Sequence, residues 1–185
     1  MSTFDKVMRN IYNIFTALLL LICVTGCSAM YDQEMPSYDK TTLVRVGADA
    51  PDFTVNTLDG SSVTLSQLQG RTVLLVFFAS WCPDCHKQLD AIKAVQDNFD
   101  DEKFSILAIS RGEEVATVRE FVNSRGYTFP VGVDSDNAVY SLYATQYVPR
   151  CFVIDPLGRI VALSAEYNAE EFNLLCDIIS SLLNI

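Results

Sequence analysis

The 185-residue sequence predicts an α/β domain: a central mixed sheet with helices on both faces and a β-hairpin extension at its N-terminal end. Three observations lead there. Short apolar runs alternate with stretches of three- and four-residue apolar periodicity, the pattern of strands alternating with helices. The run Val73 to Ala79 is apolar at every position, as a strand covered on both faces requires. The last two runs are joined through Pro156-Leu157-Gly158, a hairpin signal that makes the final strand antiparallel and the sheet mixed.

Along the chain, Ala50 to Thr57 reads as a strand, Leu58-Asp59-Gly60-Ser61 as a turn and Ser62-Val63-Thr64-Leu65 as the returning strand. Ser66 to Gly70 fits one helical turn stopped by its glycine. The buried run Thr72 to Ala79 leads into a helix from Pro83 to about Asn98, where Leu89, Ile92, Val95 and Phe99 recur at helical steps. Phe104 to Ser110 is the next strand. Glu113 to Ser124 is a helix with Val115, Val118, Phe121 and Val122 on one face and Gly126 past its end. A short strand at Phe129 to Val133 and a short helix from Asn137 to about Thr145 follow. Cys151 to Asp155 and Ile160 to Leu163 form the closing hairpin, and Ala169 to Leu183 the last helix.

The first 26 residues read differently. Lys6 and Arg9 make a positive start, and Ile11 to Val24 is mostly apolar. That stretch is short for a membrane span of about 20 residues and fits the apolar core of a secretory signal. Val24-Thr25-Gly26-Cys27 resembles a bacterial lipobox, which implies cleavage before Cys27 and lipid on that cysteine. An uncleaved anchor helix and an ordinary signal are the alternatives. All three place the domain outside the cytoplasm, in the cell envelope on its periplasmic or surface side. Residues 27–45, polar and irregular with Pro36, are expected as a tether to the membrane lipid, and residues 46–185 as the domain. The net charge of −10 lacks the basic face that nucleic acid requires, so no nucleic-acid partner is expected. Loss of residues 1–26 leaves the domain strongly acidic and removes Cys23. Cys27 would be lipidated, so Cys82, Cys85, Cys151 and Cys176 remain for chemistry.

That chemistry concentrates in Trp81-Cys82-Pro83-Asp84-Cys85. A thiol pair of this spacing at a strand-to-helix junction is suited to make and break one disulfide. Cys82 sits at the start of the helix, where the partial positive charge favours the thiolate, the reactive form. Cys85, one turn in, is within reach to resolve a mixed disulfide. A static disulfide or a zinc pair is the plain alternative, but zinc needs further ligands and His86 is the sole histidine. Cys82-x-x-Cys85-His86 also matches a c-type haem attachment site. Against haem stand the buried strand before the motif and the methionines, all within the signal and tether at positions 1, 8, 30 and 35. No metal and no cofactor are expected.

Ala50-Pro51-Asp52-Phe53, Phe77 to Cys85, Tyr147-Val148-Pro149-Arg150 and Phe152 to Ile160 together carry a resemblance. From about Val46 to Leu183 the chain resembles the thioredoxin-like fold. Within the AhpC/TSA–Redoxin-like superfamily it is similar to the membrane-tethered TlpA/ResA-type thiol-disulfide oxidoreductases of bacteria. The resemblance implies a cis Val148-Pro149 peptide facing the cysteine pair, with a backbone edge able to pair with an extended substrate. It implies a redox-active Cys82–Cys85 disulfide, disulfide-containing client proteins as substrates, and a membrane thiol electron donor. The reducing direction, as in cytochrome c maturation or envelope redox homeostasis, is implied as well.

The sequence departs from the pattern in places. Val76 stands where thioredoxins commonly hold a buried acid, and Gln88 and Asp90 stand where TlpA-type members often carry Glu and Pro. Trp81, Pro83, Asp84, Val148 and Arg150 are the candidate substrate-facing residues. Asp84 sets a carboxylate beside Cys82, which predicts a less oxidising couple than a cationic residue would give, unless it is simply a good first-turn residue. Trp81 either shapes the substrate surface or packs into the core. Arg150 either contacts substrate or nearby carboxylates, or is a strand-end surface charge. His86 is expected as a solvated first-turn residue. Cys151 reads as a buried apolar residue or a third reactive thiol, and Cys176 as core. Two competing functions are a peroxidase, for which the required Pro and Thr or Ser are replaced by Leu75 and Ala79, and a non-catalytic binding module.

Overall fold

The computed structural model describes residues 37–99 and 102–184; the expected signal and the lipobox Cys27 lie outside the described residues. A five-stranded mixed sheet runs β5-β4-β3-β6-β7, where β3 is Thr72–Phe78, β4 Phe104–Arg111, β5 Val131–Asp134, β6 Arg150–Ile154 and β7 Ile160–Ala165. β3 is parallel to β4 and β4 to β5; β6 is antiparallel to both β3 and β7. The hairpin extension is β1 (Thr54–Asn56) paired with β2 (Ser62–Thr64), tied to the edge of β5 by a bridge from Thr57 to Gly132. Gly132 leaves room for it: a Cβ there would fall 2.8 Å from Val55.

Every residue of β3 is buried, and its pleat divides the core. Leu74, Val76 and Phe78 share a cluster with α2 (Pro83–Val95), α3 (Val115–Arg125) and α5 (Ala169–Leu183). Val73, Leu75 and Phe77 face the other way, against the hairpin and the short α4 (Tyr140–Tyr143). The two crossovers through α2 and α3 put both helices on one face, and α5 joins them there.

Two elements differ from expectation. The helix expected over Asn137 to Thr145 is only Tyr140–Tyr143, because the Asp134 carboxylate captures the backbone N–H groups of Val139 and Tyr140 and fixes a turn before it. Residues 37–45 of the stretch expected as tether pack onto the domain. Tyr38–Thr41 forms α1, Thr42 bridges Ala144, and the Leu43 amide donates to the Tyr143 carbonyl at 2.9 Å.

Candidate functional site

The fully buried β3 carries the chain to Ala79, and the helix that follows cannot start until Pro83 fixes its first turn. Cys82 is therefore the N-cap of α2. Its Sγ accepts from the Cys85 amide at 3.4 Å and, as a thiol, donates to the Val148 carbonyl at 3.4 Å. Cys82 is 7% exposed and Cys85 is 0% exposed; both are free thiols. Burial first, then the contact with Cys82, pushes the Cys85 thiol far above its ordinary range. The Val148-Pro149 peptide facing them is cis, as the resemblance implies.

The loop before Cys82 is held through Ser80 on three atoms. Its amide donates to Glu113 Oε2 at 2.8 Å and its hydroxyl to Glu113 Oε1. Its carbonyl meets His86 Nε2 at 2.6 Å. Arg125 donates to His86 Nδ1 at 2.8 Å. Arginine can only donate, so Nδ1 accepts and Nε2 carries the proton toward Ser80. The ring also stacks on Phe121, with centroids 5.0 Å apart. His86 is thus a structural clamp and not the solvated residue expected. By sequence alone Glu113 is only a helix start. The signal that it belongs here is its place after β4, at the C-terminal edge of parallel strands, where loops gather around sites.

Of the remaining expected residues, Trp81 is 72% exposed and stands beside the thiols as an apolar surface. Pro83 is exposed and Val148 half-buried at the same end of the molecule. Asp84 accepts from Lys87 at 2.8 Å on the surface, and this bond raises the Lys87 pKa. Arg150 departs from both expectations. It is 1% exposed and lies opposite Phe77 in the β3–β6 register, so it leaves the sheet on the face away from the thiols. Neither a substrate contact nor a surface charge fits it. Its partners lie in the N-terminal segment, which no local pattern could reveal.

The departures also have a structural setting. Val76 faces the dithiol side, and Cys151 stands directly opposite it on β6. Gln88, one turn beyond Cys85, is 1% exposed, and its Nε2 has no hydrogen-bond partner among the described residues. Asp90 instead faces outward and accepts from Tyr127 Oη at 2.7 Å and Arg125 at 3.3 Å. Burial pushes the Cys151 thiol up to about 12, which keeps it protonated and inert. Cys176 is half-buried on α5, packed against the same cluster.

A thiol pair at the N-terminus of the first long helix, opposite a cis-proline on a mixed five-stranded sheet, defines the class of thioredoxin-like thiol-disulfide oxidoreductases. The chain belongs to the AhpC/TSA family, whose model matches residues 46–163, and within it to the ResA/TlpA type of thiol-disulfide oxidoreductase. It is 31% identical to thiol-disulfide oxidoreductase ResA of Bacillus subtilis (strain 168) over 156 residues, 84% of this chain and 85% of that one. A candidate protein disulfide isomerase from Bacteroides thetaiotaomicron superposes with a TM-score of 0.74 at 38% identity, covering 78% of this chain and 94% of that one. A candidate thiol:disulfide interchange protein DsbE from Chlorobium tepidum gives 0.71 at 25% identity, over 76% and 99%.

Proposed function

We propose that this oxidoreductase reduces disulfides in client proteins outside the cytoplasm, anchored through lipid on Cys27 and returned to its dithiol form by a membrane thiol donor. One observation carries the reading: the Cys82 sulfur lies between the α2 N-terminus and the Val148 carbonyl, while Cys85 is shielded behind it. Cys82, as thiolate, attacks one sulfur of a client disulfide, and the other client sulfur leaves as thiolate. Cys85 then attacks Cys82 Sγ. The Cys82–Cys85 disulfide forms and the second client thiolate departs, so two electrons pass from the pair to the client. The exposed Trp81 and the Val148-Pro149 edge hold the client segment beside Cys82. Cytochrome c maturation and envelope redox homeostasis are the roles the resemblance favours.

The high Cys85 pKa makes its proton the difficult one. Val76 and the amide of Gln88 offer no base. The departing client thiolate is the acceptor that remains, which couples resolution to client release. Cys85→Ser in the full chain, expressed in its own cell, is expected to accumulate a mixed disulfide through Cys82. Non-reducing electrophoresis and mass spectrometry would identify the client. Absence of any Cys82-linked adduct, with the wild-type pair failing to cycle between dithiothreitol and oxidised glutathione, overturns the reading.

A further inference from the structure

We infer that Arg150 is a positioning residue for the disulfide exchange, latching the loop Gln146–Pro149 to the segment Tyr38–Thr42 where the folded domain begins. The inference rests on the reductase reading for what the loop does and on geometry for how it is held. The loop is costly to hold. Tyr147 sits at φ 69°, a left-handed conformation that is unfavourable for a residue with a side chain. Such a residue persists only when its surroundings over-determine it.

Here they do. Arg150 Nε and Nη2 donate to the Gln146 carbonyl at 3.0 and 2.8 Å. The same guanidinium donates from Nη2 to Thr41 Oγ1 at 2.6 Å and from Nη1 to Thr42 Oγ1 at 2.5 Å. Both threonine hydroxyls spend their own protons on the Tyr38 carbonyl, at 3.0 and 2.8 Å, so their lone pairs face the arginine. The Tyr38 ring packs edge-on against Tyr147, with centroids 4.9 Å apart. From the other side Tyr140 Oη donates to the Tyr147 carbonyl at 2.6 Å. The next residue, Val148, supplies the carbonyl that meets Cys82. No carboxylate among the described residues pairs with this buried cation; the fork is spent on a carbonyl and two hydroxyls, which is fixation of backbone and not charge pairing. The loop that meets the thiol is thus braced by residues over a hundred positions earlier.

The test uses the full chain, with Arg150→Gln, Arg150→Lys and Thr42→Val. Thr42→Val removes one acceptor at the margin and keeps the fold should Arg150→Gln fail to fold. Amide hydrogen exchange over residues 145–150 is expected to quicken in Arg150→Gln and Thr42→Val while β3 and α2 keep their protection. The KM for insulin disulfides is expected to rise about tenfold in Arg150→Gln and about threefold in Thr42→Val, since small misplacements of a positioning loop weaken catalysis out of proportion to stability. Alkylation of Cys82 by iodoacetamide, which needs no client edge, is expected to change much less, and Arg150→Lys to recover part of the loss. Unchanged exchange in the loop, or faster exchange with an unchanged KM, overturns the inference. Exchange reads the latch without any client, so a wild-type protein inactive on insulin would count against the reductase reading alone.

Discussion

The two halves of the site are held in opposite ways. The dithiol half, residues 79–86, is built from neighbours in sequence: Cys82 caps its own helix, Pro83 starts it, and His86 reaches back to the Ser80 carbonyl. The proline half, residues 146–150, is built from distant ones, with Arg150 bridging to Thr41 and Thr42 and Tyr140 pinning Tyr147. Local coding fixes where the sulfurs are. Long-range packing fixes what faces them. The reactive atoms are therefore robust to changes elsewhere, while the surface that receives a client depends on how the whole domain closes.

Contacts from other elements cross this division at His86 and Ser80, and the one from Glu113 gives the largest expected effect. Glu113 comes from the far end of β4, yet it fixes the dithiol half through Ser80. Glu113→Ala leaves the Ser80 amide without its partner, and an orphaned donor in a partly buried site costs about 1–3 kcal/mol. Urea unfolding should show a loss in that range. The rate of Cys82 attack on insulin should fall by about tenfold, since the loop that aims the sulfur is freed. A variant with wild-type stability and rate would mean the local residues hold the loop unaided.

The same division explains what the sequence made legible. Cys82, Cys85 and Pro149 announce themselves because spacing and flanking elements are local. β3 and the three long helices do so because burial on both faces and helical periodicity are written in runs of residues. Arg150 looked like a surface charge because its neighbours in the chain say nothing of Thr41, 109 positions away. His86 looked solvated because Arg125 and Phe121 come from another helix. α4 starts later than its pattern suggests because a single carboxylate, Asp134, takes the backbone N–H groups of Val139 and Tyr140. The tether ran long because polar Thr41 and Thr42 are also good acceptors for a buried guanidinium.

A titration sharpens the comparison from the thiol side, with a moderate effect. An unfolded cysteine ionises near its ordinary value of 9.0, whereas burial keeps Cys151 protonated to about 12 and raises Cys85 further. Folded-state values above unfolded ones contribute stability that is complete below the unfolded pKa and lost as pH rises toward the folded values. The reduced protein should therefore keep a level Tm between about pH 7 and 8.5 and lose stability above about pH 9. Cys151→Ala should flatten part of that fall and leave the oxidation of the Cys82–Cys85 pair unchanged. An equally steep fall in the variant would place the alkaline sensitivity in the other groups that burial raises, Cys85, Cys176 and the tyrosines Tyr127, Tyr140 and Tyr143. In neither case does Cys151 act as a third reactive thiol, since a buried protonated sulfur is not a nucleophile.

The smallest effect is expected at Asp84, the residue between the thiols most readily credited with tuning. Its carboxylate sits at the first turn of α2, where a negative charge opposes thiolate on Cys82. The structure gives that charge a partner: Lys87 Nζ lies 2.8 Å away, and both side chains are largely open to solvent. An exposed, paired charge is screened twice, by its counter-ion and by water, and exposed pairs of this kind contribute at most about 1 kcal/mol. For a two-electron couple about 30 mV corresponds to 1.4 kcal/mol. Asp84→Asn should therefore raise the reduction potential by no more than about 20 mV, and 1 M salt should abolish even that. Lys87→Ala, which leaves Asp84 unpaired, should move the potential the other way by a comparable amount. A clearly larger shift in Asp84→Asn would show that the carboxylate acts on Cys82 through the protein and not through water, and would make the dithiol half as dependent on its surroundings as the proline half.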